Sequence, residues 1–526
     1  MIAYRNVTRT VRTADVLAHA EDPLTFLIEF GEIEAALADR LCPTRDTLRP
    51  KLTRMREVSR EAARAYVTGH GDIRRALGRL RLPETIEVSV PEGYAWYGLS
   101  PSAYVAAAER FWRARQPLRA VVIGIRGIGT SLSAVVAAVL EQYGCTVDSY
   151  TVRPHGHPFY REVRFSDELR NALLGFPGAF YVVVDEGPGL SGSSFASVAQ
   201  ALWAAGISDD RIVLMPSWEP DGSGFVSRGA EARWRIHDKY PASCAMPAEA
   251  LIDLSAGAWR EICFTSEADY PAVQPQHEVR KYLCHADGPL SVIRFAGLGC
   301  YGREKLDRAR LLAAAGFSPA PVSLENGWLK LPFVQGRPMR APDADDGILD
   351  VMARYLAFRR KAFALGRPAG RDELVQMIRA NTGIEAPEPP KAEATIVDGR
   401  MMPHEWIARA TGEPIKVDAL DHGDNHFYPG PADICWDLAG AMIEWRLDDR
   451  RRSRLLRRYV QHSGDTKAGE RLPFYLLAYT AFRIGYTSLA VMALPQSSDD
   501  RMRFEQLQRE YRAVMERESQ QLLAFS

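Results

Sequence analysis

The run Tyr181-Val182-Val183-Val184-Asp185-Glu186-Gly187-Pro188-Gly189-Leu190-Ser191-Gly192-Ser193-Ser194-Phe195 constrains this chain most. An apolar strand feeds two adjacent acids, then a loop of small residues, then a helix. The helix carries Phe195, Val198, Leu202 and Ala205 on one face and stops at Gly206. An unbroken apolar strand such as Val182 to Val184 suits a parallel sheet buried on both faces. A small-residue loop opening a helix turns several backbone N–H groups toward one point, and the helix dipole adds positive potential there. That is a phosphate cradle. The two acids cannot serve a phosphate; they suit neutral hydroxyls such as a ribose diol, or a magnesium ion. The competing reading is a glycine-rich strand-to-helix turn with surface acids.

Phosphate, diol and metal together describe a phosphorylated sugar. The stretch resembles the type I phosphoribosyltransferases, whose signature is an apolar strand, two acids, a short spacer and a Thr/Ser-Gly-x-Thr/Ser loop. The resemblance implies that Asp185 and Glu186 hold the ribose hydroxyls of phosphoribosyl pyrophosphate (PRPP). Gly189, Ser191, Gly192, Ser193 and Ser194 would form its phosphate loop. Here four residues, Gly187 to Leu190, separate acids and loop, where that family usually has three.

A second unit of the same type precedes it. Ala120 to Ile125 is a buried strand ending at Arg126-Gly127-Ile128-Gly129-Thr130-Ser131, before a helix with Leu132, Val135, Val136 and Val139 inward. Its loop reaches the same carboxyl edge of a doubly wound sheet. By the resemblance, Arg126, Gly127 and Ser131 contact pyrophosphate. Cys145 to Val152 is a further strand, leading into Arg153-Pro154-His155-Gly156-His157-Pro158-Phe159-Tyr160-Arg161. In the resembled family a mobile loop here closes over PRPP. Arg153, His155, His157 and Arg161 fit that task, because the leaving pyrophosphate carries the developing charge. The alternative is a rigid surface loop with ordinary histidines. Arg211 to Trp218 gives another strand, and Trp218 either stacks on a base or covers the core.

The chain has 526 residues, too many for one ordinary core. Lys plus Arg and Asp plus Glu number 66 each, so no bulk field favours nucleic acid or an anionic membrane. Seven cysteines with no C-x-x-C pair argue for a reducing compartment, and a cytoplasmic location is expected. The apolar segment Val121 to Leu140 is too broken to span a bilayer. Residues 1–90 read as a mainly helical extension, with His70 and Asp72 in a turn. Glu87 to Tyr97 reads as a strand pair entering a core domain over 91–262.

A composition shift near 261–276 marks a domain boundary. Beyond it, two strands (277–283 and 291–299) joined by a turn at Asp287-Gly288 precede an Arg- and Ala-rich helix. A hairpin then ends in the extended stretch Pro332-Phe333-Val334-Gln335-Gly336-Arg337-Pro338. Downstream stand Pro403-His404-Glu405-Trp406, Lys416-Val417-Asp418 and Gly430-Pro431-Ala432-Asp433-Ile434-Cys435-Trp436-Asp437-Leu438-Ala439. This order resembles the aminoglycoside phosphotransferase and choline-kinase-like superfamily over about 277–520, with an N-lobe at 277–340 and a helical C-lobe at 341–526. The resemblance implies ATP bound against Phe333, Val334 and Arg294, and magnesium on Asp418, with Asp433 and Asp437 on the supporting helix. The chain departs from that family's His-Gly-Asp-x-x-x-x-Asn motif, because Glu405 and Trp406 follow His404, and it has Arg294 in place of the N-lobe lysine. Asp421-His422-Gly423-Asp424-Asn425-His426 is an unusual insertion that could bind metal or replace the missing base.

The fold class expected is α/β: a doubly wound phosphoribosyltransferase-like sheet domain followed by a two-lobed α+β kinase-like domain. The expected function is a two-module enzyme. One module would perform Mg2+-dependent transfer at ribose C1 with PRPP, and the other ATP-dependent phosphorylation of a small molecule. Asp185, Glu186, Glu405 and Asp418 are the expected catalytic residues, with Asp185, Asp418 and Asp421 on metal. No nucleic acid or membrane partner is expected; a homodimer is compatible. The alternative is a PRPP- or nucleotide-sensing or scaffold domain attached to a kinase-like domain that carries the only reaction, or is itself degenerate.

Overall fold

A computed structural model of the chain describes residues 2–525 apart from 79, 158, 190, 244, 245, 286–288 and 389. The chain forms two compact units. The N-terminal unit comprises Thr8–Pro247 with Gly297–Tyr301; the C-terminal unit comprises Met1–Val7, Ala248–Ala296 and Gly302–Ser526. The division falls at Pro247, upstream of the composition shift at 261–276.

The N-terminal unit opens with a small antiparallel pair, β1 (Thr8–Arg12) and β2 (Thr85–Ser89). Its main sheet contains β3 (Arg119–Ile125), β4 (Thr146–Val152), β5 (Phe180–Val184), β6 (Ile212–Met215) and β7 (Asp238–Lys239). All pairings in it are parallel, in the order β4-β3-β5-β6-β7. Val121, Ile123, Val183 and Leu214 pack with Phe195, Val198 and Leu202 of the helix Ser193–Ala204. Each such buried side chain stabilises by about 1.5–3 kcal/mol. From β3 the chain steps one way to β4 and the other way to β5. The carboxyl ends of β3 and β5 therefore form a topological switch point, where open α/β sheets bind ligands.

Two expectations for this unit change. Residues 1–90 are not an appendage: the helices Pro23–Leu41 and Pro50–Thr68 pack on the helix Ile128–Gln142. The reason lies in that central helix. Every residue from Ile128 to Leu140 is buried, so it needs partners all round. Buried Arg56 pins the layer, donating to Thr130 O (2.7 Å), Ser133 Oγ (3.0 Å) and Ser149 Oγ (3.0 Å). The strand pair expected at 87–97 is one strand only. β2 pairs with β1, and Gly93–Tyr97 is a wide helical turn whose first N–H is held by Glu186. Asp72, as expected of a turn residue, caps a short helix by accepting from Arg75 N at 2.8 Å.

The C-terminal unit has an antiparallel sheet of β8 (Ala250–Asp253), β9 (Lys281–Cys284), β10 (Ser291–Phe295), β11 (Ser323–Glu325) and β12 (Trp328–Pro332), ordered β11-β12-β10-β9-β8. The turn expected at Asp287-Gly288 lies outside the described residues; β9 and β10 pair antiparallel on either side of it, with Ser291 opposite Cys284. β13 (Arg337–Pro338) follows. Then come a minor pair, β14 (Ala364–Pro368) and β15 (Glu393–Thr395), and the hairpin β16 (Trp406–Ala408) and β17 (Ile415–Lys416), which joins β13. The remainder is helical, built on Asp346–Ala362, Cys435–Glu444, Asp449–Ser463, Ala468–Ala493 and Asp499–Phe525. Ala468–Ala493 is long and apolar enough to cross a membrane, but 72% of its apolar window is buried, the mark of a core helix. The C-terminal helix packs against it, as its amphipathic pattern predicts.

Candidate functional site

In the N-terminal unit, Asp185 and Glu186 extend directly from the carboxyl end of β5 at the switch point. Glu186 Oε2 accepts from Gly93 N at 3.1 Å, and the Tyr104 hydroxyl holds Asp185 O at 2.7 Å. Small residues make room for both carboxyls. A Cβ on Gly93 would lie 2.9 Å from Glu186 Cδ, and one on Gly129 would lie 2.6 Å from Val184 O and 3.3 Å from Asp185 Oδ1. Among the described residues neither acid has an ion-pair partner within 4 Å, since Arg153 is paired with Asp39. Burial pushes Asp185 up to about 7, against the pull of Arg153 and Arg161. Burial, then the charges of Asp185 and Glu92, push Glu186 up to about 8. Carboxyls raised this far are held partly neutral near pH 7, which lowers the cost of leaving them without a cation.

The loop after the acids is one residue longer than the resembled family's, and the end of β6 pins it. Ser217 N donates to Glu186 O (3.0 Å) and Gly187 O (3.1 Å), and Trp218 Nε1 donates to Pro188 O (3.0 Å). Trp218 is half exposed, so it covers the loop rather than the core. Both acids thereby keep the strand's register. Gly192 has φ +65°, and a Cβ there would meet the Phe225 ring at 2.5 Å. Ser191 and Ser193 hydroxyls bond at 2.9 Å at the start of the helix Ser193–Ala204. Gly189 is exposed.

Arg161 reaches this helix start, donating to Ser194 Oγ at 2.7 Å. The segment that carries it is a hairpin closed by reciprocal backbone bonds between His155 and Glu162. His157 is exposed; His155 Nε2 is buried without a hydrogen-bond partner.

Three other positions serve a different purpose from the one expected. Arg126 is buried and paired with Asp39 (2.8 Å) and Asp46. Arg153 is turned to the same Asp39, through Nε at 3.0 Å and its terminal nitrogen at 2.6 Å. Ser131 bonds the Tyr94 hydroxyl at 2.8 Å and Ile128 O at 3.0 Å. A buried guanidinium takes the nearest carboxylate, here Asp39 of the helix Pro23–Leu41 and Asp46 of the loop that follows it. Gly127, φ +117°, makes the turn into the central helix.

The C-terminal unit gathers a second cluster. Arg294 on β10 donates to Asp418 Oδ1 (2.9 Å) and Asp421 Oδ2 (2.5 Å). Burial raises Asp418, but Arg294, His422, Lys281 and Arg400 override it and hold this carboxyl well below the usual range. Lys416, fully buried, bonds Glu405 Oε2 at 2.7 Å and Asp418 O at 2.5 Å, with Asp398 Oδ1 at 3.4 Å. Arg400 lies 3.2 Å from Glu405 Oε1. Asp437 accepts from the N–H groups of Asp398 (2.6 Å) and Gly399 (2.9 Å), and so supports the loop that carries Arg400. Asp433 is tied instead to Arg471 at 2.6 Å. Phe333 and Val334 are half-buried just after β12.

The loop entering β16 is centred differently from the expected His404. That ring stacks on Trp259 at 5.7 Å, and burial, then Arg400, pushes it down to about 3. In kinases the catalytic loop reads His-Arg-Asp-x-x-x-x-Asn. Here Arg400 stands five residues before Glu405, and Asp398 seven before. Glu405, expected as catalytic, is tied to Lys416 and Arg400, and burial pushes it up to about 7. In the insertion, Arg308 holds Asp424 at 2.7 Å. Gly423 packs so close to Val397 that a Cβ would lie 1.8 Å from its carbonyl oxygen.

Among the described residues, no three His, Cys, Asp or Glu side chains gather to hold a metal. Magnesium in phosphate chemistry is held by one or two carboxylates plus substrate phosphates, and Asp418 or Asp185 fits that smaller requirement. Among the described residues Asp421 Oδ1 is buried with no hydrogen-bond partner, and the buried Lys305 ammonium also faces this carboxyl.

No protein-family model matches the chain, and no curated protein does. Solved structures are similar to about half of it, in its C-terminal part, and are choline- and aminoglycoside-kinase-like. Choline kinase LicA from Streptococcus pneumoniae is 13% identical over 44% of this chain and 89% of that chain, with a TM-score of 0.31. A choline/ethanolamine kinase family protein from Mesorhizobium loti is 15% identical over 49% and 94%, with a TM-score of 0.33. Choline kinase from Cryptosporidium parvum is 10% identical over 46% and 87%, also at 0.33.

Proposed function

We propose that the chain is a two-module transferase of a reducing, cytoplasmic compartment. Its N-terminal unit binds PRPP with Mg2+ and transfers the phosphoribosyl group at C1. The observation that carries this is the pair Asp185–Glu186, two half-buried carboxyls with raised pKa, set at the switch point ahead of a phosphate-loop sequence. The acids would accept from the ribose diol, and the amides at Ser191 to Ser194 would hold the 5′-phosphate. Arg161, already on Ser194, would face the pyrophosphate as its charge develops. Magnesium would neutralise the pyrophosphate. Calorimetric titration of the whole protein with PRPP in magnesium tests this directly. Binding should vanish in Asp185→Ala/Glu186→Ala; no binding to the unaltered chain would refute it.

The C-terminal unit we read as an ATP-dependent phosphotransferase-like module with Asp418 toward the nucleotide's magnesium. With Arg400 five residues before Glu405, positioning and charge neutralisation, rather than proton abstraction by an Asp, would supply the rate. Magnesium-dependent ATP turnover that Asp418→Ala abolishes is the expected result; turnover surviving that change would reject it.

One observation favours a second reading, in which the N-terminal unit senses PRPP or a nucleotide without chemistry. Arg126 and Arg153 are committed to Asp39, which leaves Arg161 as the arginine on the loop's helix. Tight PRPP binding with no pyrophosphate release over a panel of bases would select it.

A further inference from the structure

The C-terminal unit contains a cavity of about 1220 Å³, of whose wall the phosphotransferase reading uses Arg400 alone. It opens beside the cluster around Asp418, because Arg400 and His404 belong to its wall. We propose that this cavity is a binding site for a small phosphate monoester. The inference stands whether or not the unit transfers a phosphoryl group.

The wall chemistry carries it. Seven arginines line the cavity against four carboxylates. Three of those acids are already closed by arginines of the same wall: Glu444 by Arg483 (3.1 Å), Glu510 by Arg446 (2.7 Å) and Asp269 by Arg340 (2.7 Å). Glu444 also accepts from the Tyr479 and Tyr511 hydroxyls, which fills its oxygens. The other arginines, Arg400, Arg452, Arg503 and Arg517, pair with acids set behind the wall or with none. Arg452 meets Glu518, Arg503 meets Asp500 and Arg400 meets Glu405, whereas exposed Arg517 has no ion-pair partner among the described residues.

A guanidinium has five N–H donors and can serve a second acceptor while keeping its first. Arg400 Nε is buried with no hydrogen-bond partner. A cationic ligand would meet this wall with like charge, whereas a planar fork of donors matches phosphate oxygens. Phe264, Tyr270 and Tyr486 supply flat apolar surface for the body of the ligand.

The test uses the full chain and glycerol 3-phosphate as probe, with glycerate and choline as comparators, by calorimetry at low salt. Glycerol 3-phosphate is expected to bind more tightly than glycerate, and choline not to bind. Arg503→Ala and Arg517→Ala should each weaken it about ten-fold, since a charge-assisted contact is lost. Arg161→Ala, in the other unit, should leave it unchanged. The proposal falls if the probe does not bind, if choline binds more tightly, or if only Arg161→Ala matters. Preference for glycerate over the phosphate would overturn the head-group assignment. ATP turnover without probe binding rejects this inference alone; probe binding without ATP turnover rejects the phosphotransferase reading alone.

Discussion

Arg294 spans Asp418 and Asp421, at 2.9 Å and 2.5 Å, so one guanidinium from the antiparallel sheet closes a strand end and the insertion that follows it. A lysine at this position could not do so. Its ammonium is a point donor, whereas the guanidinium fork reaches two carboxylates at once.

Removing that fork leaves buried Asp421 and half-buried Asp418 without their closest cation. Arg294→Ala should therefore destabilise the protein by about 3–5 kcal/mol, and Arg294→Lys by less. Urea unfolding of the three proteins measures both. Equal midpoints would show that the clamp contributes nothing to stability.

The acids at the switch point give a pH dependence with a definite sign. Both are raised in the folded state, Asp185 to about 7 and Glu186 to about 8, from ordinary values near 4. Folded protein then holds more protons than unfolded protein between those limits. Their contribution is fully present below about pH 4 and is lost as pH rises through 7 to 8. Asp185→Asn/Glu186→Gln should remove this loss and raise the melting temperature at pH 8, by about 2–4 °C per kcal/mol, with little change at pH 4. Melting curves at both pH values check it; a lower melting temperature at pH 8 would contradict the burial argument.

Two glycines separate packing from binding. Gly129→Ala drives a Cβ to 2.6 Å from the Val184 carbonyl, which the backbone cannot yield, so a loss of about 1–3 kcal/mol is expected. Gly93→Ala meets the ends of the Ile128 and Glu186 side chains, at 2.8 Å and 2.9 Å, which can move. It should cost less stability but shift Glu186 and weaken PRPP binding. Melting and calorimetry on both variants distinguish the two outcomes.

Arg56 ties the helical layer to the sheet domain and faces Glu34 at 3.4 Å. Arg56→Leu leaves that buried acid unpaired and should cost about 3–5 kcal/mol; Arg56→Leu/Glu34→Leu should recover much of it. Denaturant titration of the single and double variants reports the coupling directly.

The strand–acid–loop–helix order at Tyr181 to Phe195 was legible because period and loop composition are local. The same holds for β3 and its helix, for the β11–β12 hairpin, and for the strand-end position of Asp418. Partnership was not legible. Nothing near Arg126 in the chain announces Asp39 and Asp46, 87 and 80 residues away, and nothing near Asp418 announces Arg294. Likewise the helix Ile128–Gln142 shows by composition that it is buried, but not that the helices Pro23–Leu41 and Pro50–Thr68 help to bury it. Periodicity and small-residue loops fix what each segment becomes, because they act over a few residues. Which charge neutralises which is decided only when the elements pack, because burial raises the cost of an unpaired charge and the nearest partner in space meets it.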